Sequence, residues 1–578
     1  MRAPRLLFWL LLAWGAVRPA ALAAAPSHLQ PFQRLVILDQ GRKKPMDTFA
    51  RTLLKRISGR SALAGMDAAG WLARVFFCPW ETHDDRVFLV NDPDVLAAVG
   101  LPAHGRGRYS FRQLHPRLDR LRELAYQASS QQGEPGRVEG GIIRLYFNVS
   151  AYYQMAGAFH YVWSGTPGGE SGQKRAAAPA IVPLGAGDAE EWLSPAAAQA
   201  RAGRMPAAVQ RELSLLSGAA RAYTDRRWPD FAAALAAFNQ SLRERLPSRD
   251  FPGGRIALEI AYNRLDPFFL AQLAYGLALL LFLASAVAWR RWLRRLTWLF
   301  LLVGLSAHTG GVIVRMLITG RPPVTNLYET FIFVGWAGVM MGIVLERFQK
   351  HGLGILCSGF LGPVFLLIAG RFGLDGDTMG MLAAVLDSNL WLSVHVVTIA
   401  VGYAGCMVAG VIGHWILIQA LLARQGTAAR SRPDQALLAA LSFGLAFTGI
   451  GTIMGGVWAD QSWGRFWGWD PKENGALLII LWCAILLHSR RAGWLGRIGL
   501  AAGAVGAIVA VALTWFGINL LGVGMHAYGF TSGVGRGLIL FIMGELAFIA
   551  VSLGRIRRKG RRGGAGSDAI AGTGAATP

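Results

Sequence analysis

The chain reads Gly456-Val-Trp-Ala-Asp-Gln-Ser-Trp-Gly-Arg-Phe-Trp-Gly-Trp-Asp-Pro-Lys-Glu-Asn474 between two long apolar segments. This Trp-rich segment (residues 457–474) carries Trp458, Trp463, Trp467 and Trp469. One or two tryptophans at a helix end would form an ordinary interfacial belt. Four rings spaced by glycines instead predict a flat aromatic platform, because glycine lets a planar molecule approach the backbone. We therefore expect a short loop at a membrane face that receives something planar.

Apolar residues divide the 578-residue chain into two parts. From Leu265 onward, apolar runs of about 20 residues recur, the length that crosses a hydrocarbon core. The predicted fold is an all-α polytopic membrane bundle of about nine transmembrane helices, preceded by an exported, α-rich mixed soluble domain. The predicted spans are 268–289, 296–317, 327–346, 353–370, 390–422, 436–456, 475–490, 498–519 and 537–555. The predicted domains are a signal peptide (1–25), the exported domain (26–264), the membrane domain (265–555) and a basic cytoplasmic tail (556–578).

The N-terminus has the pattern of a secretory signal. Arg2 and Arg5 precede the apolar run Leu6–Leu12, and Ala21-Leu22-Ala23 offers a small-residue cleavage site. An uncleaved signal anchor is the alternative, and both interpretations export the following domain. Nine crossings then place the Trp-rich segment on the exported, periplasmic side of a bacterial inner membrane.

The net charge of +24 follows from this topology. Arginines and lysines gather in the loops and tail that are predicted to be cytoplasmic, as the positive-inside rule requires. We therefore predict a lipid bilayer and no nucleic acid as a partner. No C-x-x-C occurs, which argues against a thiol oxidoreductase, and no C-x-x-C-H occurs, so the chain is not itself a c-type cytochrome.

The exported domain contains no motif that identifies a chemistry. We predict strands at 34–38 and 141–150, and helices that begin at Asp47 and Asp92 or cover 111–127, 205–218 and 229–245. The polar stretch Asp39–Thr48 either contacts a partner or, as we favour, forms a solvated loop.

Two histidines flank the Trp-rich segment in the predicted topology. His395 lies near the exported end of the fifth span, and His526 follows the eighth span on the same face. A hydrogen-bonded structural role would be the better interpretation of either histidine alone. Asp470 and Glu473 could act as acid/base groups, but Asp470-Pro471 at a helix start favours a capping role.

The Trp-rich segment, read with the helix that ends in His488-Ser-Arg490, resembles the "WWD" signature of haem-handling proteins of cytochrome c maturation. Within that group residues 268–555 look most like the CcsA (ResC) family of system II, and residues 26–264 lie outside the resemblance. Arg321-Pro-Pro-Val-Thr-Asn-Leu-Tyr-Glu-Thr330 also matches the family, and we interpret it as architectural. Pro322 and Pro323 would break a helix and Asn326 would cap the next one.

The resemblance implies haem b as substrate and transient ligand. His395 and His526 would ligate the haem iron, the four tryptophans and Asp470 would present the macrocycle, and Arg465 or Lys472 would pair with the propionates. It also implies a second haem site in the membrane at His488. The partner ligand there would come from a CcsB (ResB) protein, or from His414 or His308 in this chain.

The implied function is that of a cytochrome c haem lyase component. It would present haem for thioether attachment to the C-x-x-C-H motif of an apocytochrome c, and could also move haem across the membrane. No side chain of the chain need act as a nucleophile, because the substrate supplies the sulfurs. A haem exporter or chaperone of the CcmC or CcmF type, or a haem-containing electron-transfer subunit, remains the alternative.

Overall fold

The computed structural model describes residues 26–571 apart from 64, 104–106, 131–134, 165–178, 186–190, 248–251, 289, 374–375, 383–387, 424–431 and 518–533. The chain divides into two compact units. The N-terminal unit contains the chain up to Asp266 together with Leu317–Thr319 and Gly373–Met381. The C-terminal unit contains Pro267–Met316, Gly320–Phe372 and the chain from Leu382 onward.

The N-terminal unit is a helical domain with short antiparallel hairpins, as predicted. Its helices are α1 Gln30–Gln33, α2 Met46–Ser58, α3 Ala68–Phe77, α4 Pro93–Val99, α5 Phe111–Leu114, α6 Leu118–Ser130, α7 Arg137–Ala156, α8 His160–Ser164, α9 Pro195–Ala200, α10 Ala207–Thr224, α11 Trp228–Arg245 and α12 Gly253–Leu265. Its strands pair as β1 Val36–Asp39 with β2 Arg42–Pro45, β3 Ala62–Leu63 with β4 Met66–Asp67, β5 Arg86–Leu89 with β6 Arg108–Ser110, and β7 Val182–Pro183 with β8 Trp192–Leu193.

An aromatic cluster fills the core of this unit. Phe77 of α3 lies at its centre, with ring centroids 5.0 Å from Phe159, 5.1 Å from Tyr223 and 5.4 Å from Phe231. Aromatic pairs at such separations add to the free energy gained by burying their area. The domain therefore has a hydrophobic core of its own.

Two predictions for this unit are wrong. Residues 141–150 are not a strand, since they lie within α7 and bury side chains at helical spacing, with Ile142, Leu145 and Val149 on one face. The stretch Asp39–Thr48 is not a solvated loop, because it forms the β1–β2 hairpin and the first turn of α2, and Lys44 is only 1% exposed.

The C-terminal unit is an α-helical bundle. Its helices are α13 Pro267–Ala288, α14 Arg291–Thr319, α15 Leu327–Gln349, α16 Leu353–Phe372, α17 Asn389–Trp391, α18 Val397–Leu422, α19 Arg432–Trp463, α20 Pro471–Arg491, α21 Arg497–Ala512 and α22 Val534–Ala571. The π-helical turns Leu392–Val396 and Leu513–Gly517, called π1 and π2, continue into α18 and out of α21 respectively.

Within the described chain, nine helical segments are long and apolar enough to cross a membrane. They are Gly253–Val287, Arg291–Thr319, Leu327–Gln349, Leu353–Phe372, Leu392–Leu422, Pro433–Trp463, Pro471–Arg491, Arg497–Gly517 and Gly535–Lys559. The predicted all-α polytopic bundle is confirmed, with each predicted span inside or overlapping one of these segments.

The predicted helix cap in the segment that resembles the family near Pro322 is confirmed. Asn326 caps α15, since its side-chain Oδ1 accepts the Glu329 N–H at 2.9 Å. The Glu329 carboxylate in turn accepts Arg315 Nη2 at 2.7 Å and the Thr325 N–H at 3.1 Å. Arg315 and Glu329 are both 1% exposed, so this pair holds α14 to α15 inside the bundle.

Candidate functional site

His395 lies in π1, the turn that leads into α18. Its Nδ1 is 2.7 Å from the carbonyl oxygen of Gly451 on α19. Because that carbonyl can only accept, the neutral ring carries its proton on Nδ1 and its lone pair on Nε2. Histidines that bind metals are commonly oriented in this way by a backbone carbonyl. π-helical turns are also frequent at functional sites.

The first tryptophan of the Trp-rich segment lies beside this histidine. The Trp458 ring centroid is 5.9 Å from that of His395, at an interplanar angle of 63°. Gly455 allows the imidazole to pack against α19, since a Cβ there would be 2.5 Å from His395 Cε1. The structure thus brings His395 and Trp458 together, and Gly451 and Gly455 are site residues that sequence reasoning missed.

The predicted loop is shorter in the structure than 457–474. Helix α19 continues to Trp463, so Trp458 and Trp463 are helical, and the non-helical part covers residues 464–470. Two of these residues have left-handed backbones, Gly464 with φ 68° and Trp469 with φ 57°. A bulky residue with positive φ is uncommon and points to a functional constraint.

The Trp469 side chain projects from this loop and is exposed. It is 70% exposed, and its ring meets that of Trp467 edge to face at 5.9 Å. The Trp469 carbonyl accepts Asn474 Nδ2 at 3.0 Å, which helps to hold the unusual backbone. The loop therefore presents a large apolar ring to its surroundings instead of burying it.

Arg465 crosses the loop. Its Nη1 is 3.6 Å from the Glu473 carboxylate, and its guanidinium lies 5.9 Å from the centroid of the Trp463 ring. The guanidinium passes directly over Gly468, where a Cβ would lie 1.0 Å from Nη1. A larger residue at 468 would therefore displace the arginine side chain.

Asp470 and Glu473 begin helix α20 with a capping box. The Asp470 carboxylate accepts the Lys472 N–H at 2.9 Å, and Glu473 Oε2 accepts the N–H groups of Asp470 at 3.1 Å and Gly468 at 2.8 Å. The predicted capping role is therefore confirmed for both acids. Asp470 is 5% exposed, and Lys472 is half-buried beside it.

Replacing Gly468 with alanine is expected to displace the Arg465 guanidinium, because the new methyl group would occupy its position. The matched control is Gly449→Ala on α19, where a Cβ would have no neighbour within 4 Å. We expect limited proteolysis in detergent to cleave within 464–470 no more than about threefold faster in Gly468→Ala than in the control, since moving the end of one flexible side chain costs about 0.5 kcal/mol. Cleavage that is tenfold faster would show that the loop backbone, and not only the arginine, has to move.

The other predicted iron ligand, His526, lies outside the described residues. The described chain leading toward it ends in π2, where Thr514 Oγ1 donates to the Gly475 carbonyl of α20 at 2.9 Å. The Trp515 ring stacks on Phe331 with centroids 4.5 Å apart. The start of α20 and the turn that precedes His526 are therefore tied together.

The histidines proposed for a second site have different surroundings. His488 is exposed on the last turns of α20. His308 is buried, with Nε2 3.1 Å from the Ile332 carbonyl and Nδ1 3.4 Å from the Tyr275 hydroxyl. His414 places Nε2 3.0 Å from Glu545 of α22 and Nδ1 2.9 Å from the Gly410 carbonyl. Both nitrogens of His308 and of His414 are thus engaged within the bundle.

These contacts predict different effects of substitution. His308→Phe and His414→Phe should destabilise the protein by about 1–3 kcal/mol, because each leaves a buried polar partner unsatisfied. His488→Phe should change stability little. Thermal unfolding in detergent measures these differences. A midpoint of His308→Phe or His414→Phe that is no lower than that of His488→Phe would show that the contacts of that histidine do not stabilise the bundle.

Comparisons with known proteins identify the family of this chain. The model of the cytochrome c assembly protein family matches residues 324–526, which include His395, the Trp-rich segment and His526. The chain is 30% identical over 297 residues to the cytochrome c biogenesis protein CcsA of Parasynechococcus marenigrum, covering 96% of that protein and 45% of this chain. The chain belongs to the CcsA family of cytochrome c biogenesis proteins. It is therefore a multi-pass membrane component of cytochrome c assembly.

Two further relatives extend this comparison. CcsA of Chlamydomonas reinhardtii is 33% identical over 229 residues, which cover 64% of that protein and 38% of this chain. Protein NrfI of Wolinella succinogenes is 24% identical over 527 residues, which cover 86% of this chain but only 54% of NrfI. Because residues 265–555 make up about half of the chain, the NrfI match must include part of the N-terminal unit. The similarity to NrfI therefore extends beyond the membrane domain, whereas the two CcsA matches cover 45% and 38% of this chain.

Proposed function

We propose that this chain is the haem-presenting component of a cytochrome c haem lyase. The observation that carries the proposal is the contact of His395 with both the Gly451 carbonyl and the Trp458 ring. A carbonyl-oriented imidazole beside an indole suits an iron porphyrin, since the ring nitrogen would face the metal and the indole would flank the macrocycle. The exposed Trp469 ring adds a second apolar surface in the same Trp-rich segment.

The residues present fit haem as a substrate. His395 would supply one iron ligand, and His526 is proposed as the other. Arg465 and Lys472 lie in or beside the loop and would neutralise the propionates, although Arg465 would then have to share its charge between a propionate and Glu473. The tryptophans at 458, 463, 467 and 469, together with Asp470 as the cap of α20, would fix the loop that faces the macrocycle.

The attachment step needs orientation rather than a protein nucleophile. Each cysteine thiol of an apocytochrome C-x-x-C-H segment would add across one haem vinyl group. A carbon–sulfur bond forms, the thiol hydrogen goes to the other vinyl carbon, and no electron is gained or lost overall. The protein would hold haem and peptide at reacting distance and exclude competing chemistry, which alone can supply a large rate factor.

The proposal includes an orientation of the chain in the membrane and a second haem site. The N-terminal unit and the Trp-rich segment would lie on the periplasmic side of a bacterial inner membrane, with residues 1–25 acting as a signal peptide and the basic tail in the cytoplasm. A CcsB-like membrane protein would supply the partner of His488 at a second haem site. Haem would pass from that site to the one at His395.

The test is coexpression with a C-x-x-C-H apocytochrome, with and without a CcsB-like partner, in cells that lack their own maturation system. Haem retained by the cytochrome on a denaturing gel is scored for the wild type, His395→Ala, His526→Ala and the exposed-histidine control His115→Ala. We expect attachment in the wild type and the control and its loss in the other two. Haem that copurifies with the chain but never becomes attached would favour the exporter or electron-transfer alternative.

A further inference from the structure

A tryptophan outside the Trp-rich segment forms a hydrogen bond with that segment. Trp391 is the last residue of α17 and comes directly before π1. Its indole Nε1 donates to the side-chain Oε1 of Gln461 on α19 at 3.0 Å, across 70 residues of sequence. Because an indole N–H can only donate and an amide oxygen can only accept, the two side chains fit each other in one orientation. Both residues belong to the C-terminal unit.

The face of α19 that meets Trp391 is also the face that meets His395. The residues on this face are Gly451, Gly455, Trp458 and Gln461. They follow one another at spacings of four, three and three residues, so they form one stripe along the helix. His395 meets the first three residues of the stripe and Trp391 meets the last. The short segment from Trp391 to His395 is therefore held against α19 at both of its ends.

This segment runs antiparallel to α19. Trp391 meets the later end of the stripe and His395 meets the earlier part. One helical turn after His395, the chain still packs on the earlier end, since a Cβ at Gly451 would lie 2.9 Å from Ile399 Cβ. The hydrogen bond of Trp391 thus joins the two helices on the far side of Trp458 from the Gly451 carbonyl.

The π-helical form of the turn makes such a bond important for the orientation of His395. A π turn closes i→i+5 hydrogen bonds, whereas an α-helix closes i→i+4 bonds, and π turns are rare because the α-helix is the ordinary alternative. If this turn closed as an α-helix, residues on one side of it would rotate by about 100° relative to residues on the other. The imidazole would then leave the stripe on α19.

We propose that the Trp391–Gln461 hydrogen bond holds π1 in register against α19 and so fixes the direction in which Nε2 of His395 points. Trp391 and Gln461 are positioning residues, because they act on the site through π1 and α19. The inference rests on the proposed function of His395, since orientation of Nε2 matters only if this nitrogen meets the haem iron.

The test compares Trp391→Phe, Gln461→Leu, their double variant and Gln461→Glu in the full chain. Trp391→Phe keeps an aromatic ring but removes the donor, and Gln461→Glu keeps an acceptor oxygen. Trp336→Phe is the matched control, because Trp336 Nε1 donates to Thr309 Oγ1 at 2.9 Å elsewhere in the bundle. Hydrogen exchange of Leu392–Val396 reports the π turn, haem attachment per folded molecule reports function, and the absorption spectrum of copurified haem reports iron ligation.

We expect the two single variants to show faster exchange, an altered haem spectrum and about fivefold less attachment, since one hydrogen bond shifts an equilibrium by about two- to tenfold. The double variant should lose no more than either single variant, because both remove the same bond. Gln461→Glu and Trp336→Phe should stay near the wild type in spectrum and attachment.

Each other outcome has a distinct meaning. Faster exchange with unchanged spectrum and attachment in Trp391→Phe would overturn the positioning role while leaving the proposed function intact. An equal loss of attachment in Trp336→Phe, or additive losses in the double variant, would also overturn it. A wild-type chain that attaches no haem would instead refute the proposed function, and the exchange data would then decide whether the bond holds π1 in register.

Discussion

If the proposed function holds, a Gly455→Leu variant is expected to attach about 100-fold less haem to an apocytochrome than the wild-type chain does. The first atom of the new side chain would lie 2.5 Å from Cε1 and 3.0 Å from Nδ1 of His395, so the imidazole must leave its position. Displacement would also break the 2.7 Å contact between Nδ1 and the Gly451 carbonyl. Misplacing a reacting or ligating group by about 1 Å can cost two orders of magnitude in rate.

The control for this variant lies on the same helix. Gly449→Leu adds the same side chain to α19 where a Cβ meets no atom within 4 Å, and it should attach haem as the wild type does. Gly455→Ala should give an intermediate loss, because its single methyl group can be accommodated by a smaller shift of the ring. Attachment by Gly455→Leu at the level of Gly449→Leu would mean that the position of His395 against α19 has no part in the reaction.

Much of the membrane unit could be predicted from the sequence because one physical rule dominates there. A helix that crosses a bilayer must be apolar over about 20 residues, and this leaves a strong pattern. The cap of α20 was equally accessible, since aspartate followed by proline is a local signature of a helix start. The end of α19 could not be predicted in the same way, because Gly455 and Gly456 suggest a loop. In the structure these glycines are helical and let His395 and Phe466 pack closely against α19.

The N-terminal unit was harder to predict because tertiary packing decides its structure. In α7, adjacent β-branched and aromatic residues such as Ile142, Ile143 and Tyr146 favour a strand locally, yet the burial pattern is helical. Arg42 and Lys44 of the β1–β2 hairpin form ion pairs with Asp377. No local sequence pattern indicates a partner that lies so far away in sequence. The residues of the candidate site could therefore be proposed from their types and spacing. The tertiary contacts that hold these residues in place could not be predicted from the sequence.

The buried pair of Arg315 and Glu329 leads to the largest expected effect on stability. Glu329→Ala should lower the free energy of unfolding by about 3–5 kcal/mol, because it leaves the Arg315 guanidinium in the bundle without its carboxylate. The Thr325 N–H and hydroxyl would lose the same acceptor. We expect the thermal midpoint in detergent, followed by size-exclusion chromatography after heating, to fall well below that of the wild type.

The double variant Arg315→Met/Glu329→Leu distinguishes two causes of lost stability, namely a buried charge without its carboxylate and the loss of side-chain packing. Two apolar side chains of similar volume avoid the cost of burying both ions, so the double variant should be considerably more stable than Glu329→Ala and close to the wild type. Asn326→Ala is a useful comparison, since losing the cap of α15 should cost only about 1 kcal/mol. If Glu329→Ala were no less stable than Asn326→Ala, other groups would satisfy the Arg315 guanidinium, and the pair would not be what joins α14 to α15. A double variant as unstable as Glu329→Ala would show instead that the exact shape of the ion pair, including the Thr325 contacts, supports the Pro322–Thr330 segment.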